Sequence, residues 1–145
     1  MFDKLLVAVD GSECSLKATR VAAEIARKFG SKVTVVHAIY LPATIAAAAG
    51  AAGMVGNERA LEALEEAATE ILGSACETLG LPGEQVKQEV LHAHPAEAIC
   101  RWAEEGKYDL IVMGSRGLSE IRAFFLGSVS DKVSHHAHCP VLIVR

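Results

Sequence analysis

Five short apolar runs alternate with helix-patterned stretches along this chain, and that alternation restricts its fold more than any other feature. The runs are KLLVAV (residues 4–9), KVTVVHA (32–38), the segment 85–91, DLIVM (109–113) and PVLIV (140–144). Apolar character over so few residues without a polar alternate suits strands buried on both faces. Between the first two runs, Ala18, Val21, Ala22, Ile25, Ala26 and Phe29 recur at helical spacing; Ser12 is placed to cap the start and Gly30 the end. A second helix is expected from a cap at Asn57 to about Leu79. A third runs from Pro95, a good first helical residue, to Glu105, and a last from Ser128 to about His136. Such β-α alternation means an α/β fold, a five-stranded parallel sheet with helices on both faces. Right-handed crossovers reduce the topologies, and the expected order is 3-2-1-4-5. Winding then reverses between strands 1 and 4, and ligands of such sheets sit at that switch point, beyond the carboxyl ends of the strands. Here those ends carry Asp10 and Gly114.

The 145 residues suit one domain, 1–145. With 51% hydrophobic and 22% charged residues the profile is globular. A net charge of −4 and the lack of any Lys/Arg run argue against nucleic acid as a partner. The segment 39–56 is nearly uncharged, but Ala and Gly dominate it and Pro42 interrupts it, so a small-residue loop is expected rather than a membrane span. Cys14, Cys76, Cys100 and Cys139 share no C-x-x-C spacing; with no signal peptide in view, free thiols and a cytoplasmic location are expected.

The stretch after strand 4 reads VMGSRGLSEIRAFFLGSVSDKV. Gly114 follows the strand directly, Gly117 comes next, and Gly127–Ser128 open a helix. Glycines let backbone amides close on a phosphate, successive N–H groups form an anion nest, and a helix N-terminus adds donors and partial positive charge. Spacing alone leaves two readings open: a phosphate cradle, or a tight turn followed by a helix cap. It is not a Walker A loop, which needs Lys after its last glycine, nor the dinucleotide fingerprint, which follows a first strand.

The spacing G-x2-G-x9-G-[ST], carried by Gly114, Gly117, Gly127 and Ser128, resembles the signature of the ATP-binding branch of the universal stress proteins. Val9–Asp10–Gly11–Ser12, Pro95–Ala96–Glu97–Ala98–Ile99 and the tail from Ser128 through His136 and Cys139 to Val144 resemble the same family, so the likeness covers all but about residues 41–57. The resemblance implies a Rossmann-like fold of the adenine nucleotide alpha hydrolase-like kind and ATP in the switch-point crevice, with Mg2+ or Mn2+ alongside. It implies that Asp10 meets a ribose hydroxyl with Ala8 and Val9 nearby, that Ala38 lines the adenine pocket, and that Met113 faces the nucleoside. Gly114, Gly117, Gly127, Ser128 and Val129 would surround the phosphates, with Ser130 as a further donor and Arg116 and Arg122 as nearby cations. It also implies a homodimer paired through the last strand, Pro140, Val141, Leu142, Ile143 and Val144; an apolar edge strand has its own reason to be covered. Two features depart from the family pattern. LSEIRAFF after Gly117 has little glycine and places Glu120 near the phosphates, with Leu118, Ile121, Phe124 and Phe125 expected as packing anchors; His92–Ala93–His94 stands where a glycine is common.

His135, His136, His138 and Cys139 are adjacent at a helix end, where they splay, so no metal site is expected of them, nor of His92 and His94. No nucleophile elbow or triad is present, and Asp10 has no second carboxylate in its motif. The expected function is a nucleotide-dependent stress-response module that binds ATP with at most slow hydrolysis. The alternatives are a dimeric scaffold without nucleotide and a receiver-like signalling domain. A receiver would want an acceptor Asp after strand 3, where this chain has Leu91–His92.

Overall fold

A computed structural model describes residues 1–42, 44, 47, 54–118 and 126–145, residues 54–57 by their backbone alone. The elements run β1 (Lys4–Ala8), α1 (Glu13–Phe29), β2 (Lys32–Ile39), α2 (Met54–Leu79), a 3-10 turn (Gly83–Gln85), β3 (Val86–His92), α3 (Pro95–Glu105), β4 (Leu110–Gly114), α4 (Ser128–His136) and β5 (Val141–Val144). The strands form one parallel sheet in the order β3-β2-β1-β4-β5, as the alternation requires.

Strand periodicity divides the core in two. Leu5, Val7, Val33, Val35, Leu110 and Val112 face α1 and α2, where they meet Ala18, Ala22, Ala26, Leu72 and Leu79. Leu6, Ala8, Val36, Ile111 and Met113 face α3 and α4, against Ala96, Ile99, Ala103 and Val133. Alanines dominate the inner face of α1, so that helix lies close to the sheet. Its ends follow the sequence. The Ser12 side chain accepts from the Ser15 N–H, and Gly30 takes the left-handed conformation (φ 71°) and donates to Ala26.

Several boundaries differ from expectation, each for a local reason. Asn57 does not cap α2, which begins at Met54: no proline forbids the extra turn, and a side-chain cap contributes only about 1 kcal/mol. Half of the loop expected over 39–56 falls outside the described residues, but Ile39 closes β2 and residues 54–56 belong to α2. Gln85 is drawn into the 3-10 turn by its N–H to Pro82 O bond (2.9 Å), so β3 starts at Val86. Asp109 is not a strand residue; its carboxylate accepts from the N–H groups of Asp3 and Lys4 (2.9 and 2.8 Å). Pro140 has no N–H to give the ladder, and only its carbonyl serves, accepting from Ile111.

The amino end of the sheet, away from the crevice, is closed by side chains. The Lys4 ammonium lies over the Tyr108 ring (4.7 Å) and donates to the Gly106 carbonyl, while the Tyr108 hydroxyl donates to Thr34 Oγ1 at 2.8 Å. A Cβ on Gly106 would stand 2.3 Å from that ring and 3.0 Å from the Trp102 carbonyl. The ring is held on three sides, so Gly106→Ala is expected to destabilise the protein by about 1–3 kcal/mol in urea denaturation. An unchanged unfolding midpoint would show that Tyr108 yields freely.

Candidate functional site

At the carboxyl end of the sheet, β1 and β4 part into a crevice of about 310 Å3. The residues expected at the site, Arg122 aside, line it: Ala8, Val9, Asp10, Ala38, Met113, Gly114, Arg116, Gly117, Gly127, Ser128, Val129 and Ser130. Ser15, Val36, His37, Pro95, Ile99 and Leu118 complete the lining. The lining combines apolar residues, Val36, Ala38, Pro95, Ile99 and Met113, with polar groups, Asp10, Arg116, the backbone of Gly117 and the start of α4.

The β1–α1 turn fixes Asp10. Gly11, at φ 82°, turns the chain so that Asp10 Oδ1 accepts from the Ser12 N–H at 2.9 Å. Ser15 Oγ donates to the Ser12 carbonyl (2.9 Å), and Ser12 Oγ reaches across to donate to the Arg116 carbonyl (3.3 Å). The turn is thereby joined to the loop after β4. Gly117 lies against the other carboxylate oxygen: a Cβ there would be 2.7 Å from Asp10 Oδ2.

The glycines of the signature supply room rather than an unusual backbone angle. Gly114 and Gly117 do not have positive φ. Gly114 is needed because the first turn of α1 passes over it. A Cβ would stand 2.8 Å from the Cys14 carbonyl carbon and 2.9 Å from the Ser15 nitrogen, both backbone atoms. The Ser115 carbonyl accepts from both the Gly127 N–H (2.7 Å) and Ser130 Oγ (2.8 Å), so the chain leaves and returns at one point. The Ser130 hydroxyl is thus turned to the backbone, and what Ser130 can offer a bound anion is its N–H. Gly127 caps α4 without a side chain, and the first helical bond is Asp131 N–H to Gly127 O (2.8 Å). The amides of the first turn precede that bond and have no partner within the helix; this helix start lines the crevice and favours negative charge there.

Leu118 is not a packing anchor: it is 76% exposed at the crevice rim. Glu120, Ile121, Arg122, Phe124 and Phe125 fall outside the described residues. The histidines behave as helix-end groups. His135 and His136 each turn Nδ1 back to a carbonyl one turn earlier, at 2.8 Å, and among the described residues no cluster has a metal's ligand set. His92 Nε2 pairs with Glu65 (2.5 Å) instead, and the His94 ring meets the Tyr40 ring edge-on. All four cysteines are free, and burial pushes the thiols of Cys76, Cys100 and Cys139 up, which keeps them protonated.

His37 and Ser15 are the polar lining residues that sequence reasoning missed; His37 is the less expected. Its Nδ1 lies 2.8 Å from the Val9 carbonyl. In the sequence it is one residue of a strand pattern, and only the register of β2 on β1 reveals its place at the crevice.

A doubly wound parallel sheet with a crevice at its switch point places the chain in the Rossmann-like class of α/β proteins. The universal stress protein family model matches residues 1–145, and the chain belongs to that family. A universal stress protein of Thermus aquaticus, encoded 3′ of a QAH/OAS sulfhydrylase, is 41% identical over 145 residues, covering 100% of both chains. Among solved structures, the Archaeoglobus fulgidus universal stress protein in complex with dAMP is similar at TM-score 0.69 and 28% identity, covering 100% of each chain. A universal stress protein in complex with cAMP is similar at TM-score 0.65 and 29% identity, covering 99% of this chain and 96% of the other. No helix among the described residues is long and apolar enough to cross a membrane.

Gly114→Ala is expected to act on the fold before it acts on any ligand. Two backbone segments cannot give way as a side-chain tip does, and a loss of about 1–3 kcal/mol of ligand-free stability is expected by thermal or urea unfolding. Undiminished stability would place the role of Gly114 in the ligand alone.

Proposed function

We propose that the protein binds an adenine nucleotide, ATP, in the switch-point crevice and acts as a cytoplasmic, nucleotide-dependent regulatory homodimer in the stress response. The observation that carries this reading is the mixed lining of the crevice. Its apolar residues Ala38, Pro95, Ile99 and Met113 suit a base. Asp10 suits a ribose hydroxyl. Arg116, Gly117 and the α4 start suit phosphates. The complexes of relatives with dAMP and cAMP support the same ligand class.

Asp10 is the single carboxylate of the described lining. Mg2+ or Mn2+ would therefore enter mainly on the phosphates, with Asp10 as the one protein carboxylate within the crevice. The same scarcity of charged groups favours binding over turnover, with hydrolysis slow at most. β5 ends the sheet and its four residues are only half-buried, so pairing with a second copy would cover an exposed edge.

Denaturing the purified protein should release an adenine nucleotide identifiable by chromatography, or the empty protein should bind ATP with Mg2+ in calorimetry. Gly117→Ala should weaken that binding about tenfold or more, because its methyl meets Asp10 Oδ2. If nucleotide is neither released nor bound, a scaffold without nucleotide is the better account.

A further inference from the structure

We infer that Ser12 is a positioning residue for the phosphate end of the site: its hydroxyl fixes which way round the Arg116–Gly117 peptide stands. The inference rests on the nucleotide reading above and deepens it, because Ser12 is not itself a lining residue of the crevice. Ser12 is 7% exposed and caps α1. A cap needs only to accept, and Ser12 Oγ accepts from the Ser15 N–H at 3.2 Å. Asp or Asn would cap as well. A serine hydroxyl also has one proton to give, and here it goes to the Arg116 carbonyl at 3.3 Å, 104 positions away in the chain. The neighbouring donors are engaged elsewhere. The Ser15 hydroxyl gives its proton to the Ser12 carbonyl, and the Ser12 N–H is held by Asp10 Oδ1.

A trans peptide is planar, and its C=O and N–H point in opposite directions. The Arg116 carbonyl points to the β1–α1 turn, so the Gly117 N–H of the same peptide points away from that turn. Gly117 lines the crevice, and among the described residues its N–H has no partner. The peptide before it is fixed in the same manner, its Ser115 carbonyl accepting from the Gly127 N–H and Ser130 Oγ. Two successive carbonyls are thus held by the protein. Without the Ser12 proton the second peptide could turn over. That rotation takes Gly117 to positive φ, which a glycine adopts readily, and sets a carbonyl oxygen where the N–H now stands. A phosphate oxygen would then meet a partial negative charge in place of a donor, whereas base and sugar make no demand on this peptide.

The test measures the affinities for ATP with Mg2+ and for adenosine, by displacement of a fluorescent adenine nucleotide, on the unsubstituted protein, Ser12→Ala and Ser12→Gly. Both variants lack the hydroxyl. Glycine keeps most of the worth of a cap, so the comparison survives if alanine loosens the start of α1. Both variants are expected to bind ATP about tenfold more weakly, the worth of one hydrogen bond to a charged group, and to hold adenosine within about twofold of the unsubstituted protein. The ratio of the two affinities therefore falls. A residue that only caps α1 would not move that ratio, because loosening the turn shifts Asp10 and the loop after β4 together. Equal weakening of both ligands, or an unchanged affinity for ATP, would overturn the inference and leave the nucleotide reading standing. Failure of the unsubstituted protein to bind ATP would overturn both.

Discussion

The missing side chain at Gly114 sets the distance between α1 and β4, and the crevice depends on that distance. Backbone atoms of Cys14 and Ser15 occupy the space a Cβ would need. An approach this close carries the β1–α1 turn over the end of β4. From there Ser12 can reach the Arg116 carbonyl, and Gly117 can lie on the Asp10 carboxylate. A methyl group at position 114 would push the turn away, and both links would be lost together.

The layered core explains why such a site can be built on a rim. Leu5, Leu6, Val7, Ile111 and Val112 are fully enclosed between the two helical layers. Truncating one of the large ones would cost about 2–5 kcal/mol. That interior holds the strand ends in register, so residues one position apart, such as His37 and Ala38, or Met113 and Gly114, present opposite faces of the sheet to the same crevice. Precision at the site comes from the sheet; the turns contribute the polar atoms.

The alternating runs were enough to foresee the sheet and its order, because a strand buried on both faces has few places to go. Boundaries were less legible where one hydrogen bond decided them, as with Gln85 in its 3-10 turn and Asp109 turned to the Asp3 and Lys4 amides. The expected site residues that the structure describes line one crevice, and the structure shows packing and backbone bonds at some of these positions that the sequence did not reveal. Gly114 serves helix packing, the Ser130 hydroxyl serves the backbone, and Leu118 is exposed. His37 escaped notice because a histidine inside an apolar strand carries no local mark of function. Its meaning lies in a contact with Val9, 28 positions away. Pro95 and Ile99 were legible as a helix start, but only the chain's return over the sheet reveals them as a wall of the crevice.

The shared Ser115 carbonyl has a consequence for how this protein can change over evolutionary time. Gly127 N–H and Ser130 Oγ meet on that one oxygen, so both ends of the intervening peptide are anchored on the sheet side, independently of what the peptide between them contains. Closing a longer loop between fixed ends costs little, about 0.6 kcal/mol for each doubling of its length. Mutation can therefore rewrite the composition, charge or length of that peptide while the α4 amides and Gly117 stay where they are. A lineage could retune how strongly the crevice holds its ligand, and what meets the ligand from outside, without disturbing the scaffold underneath.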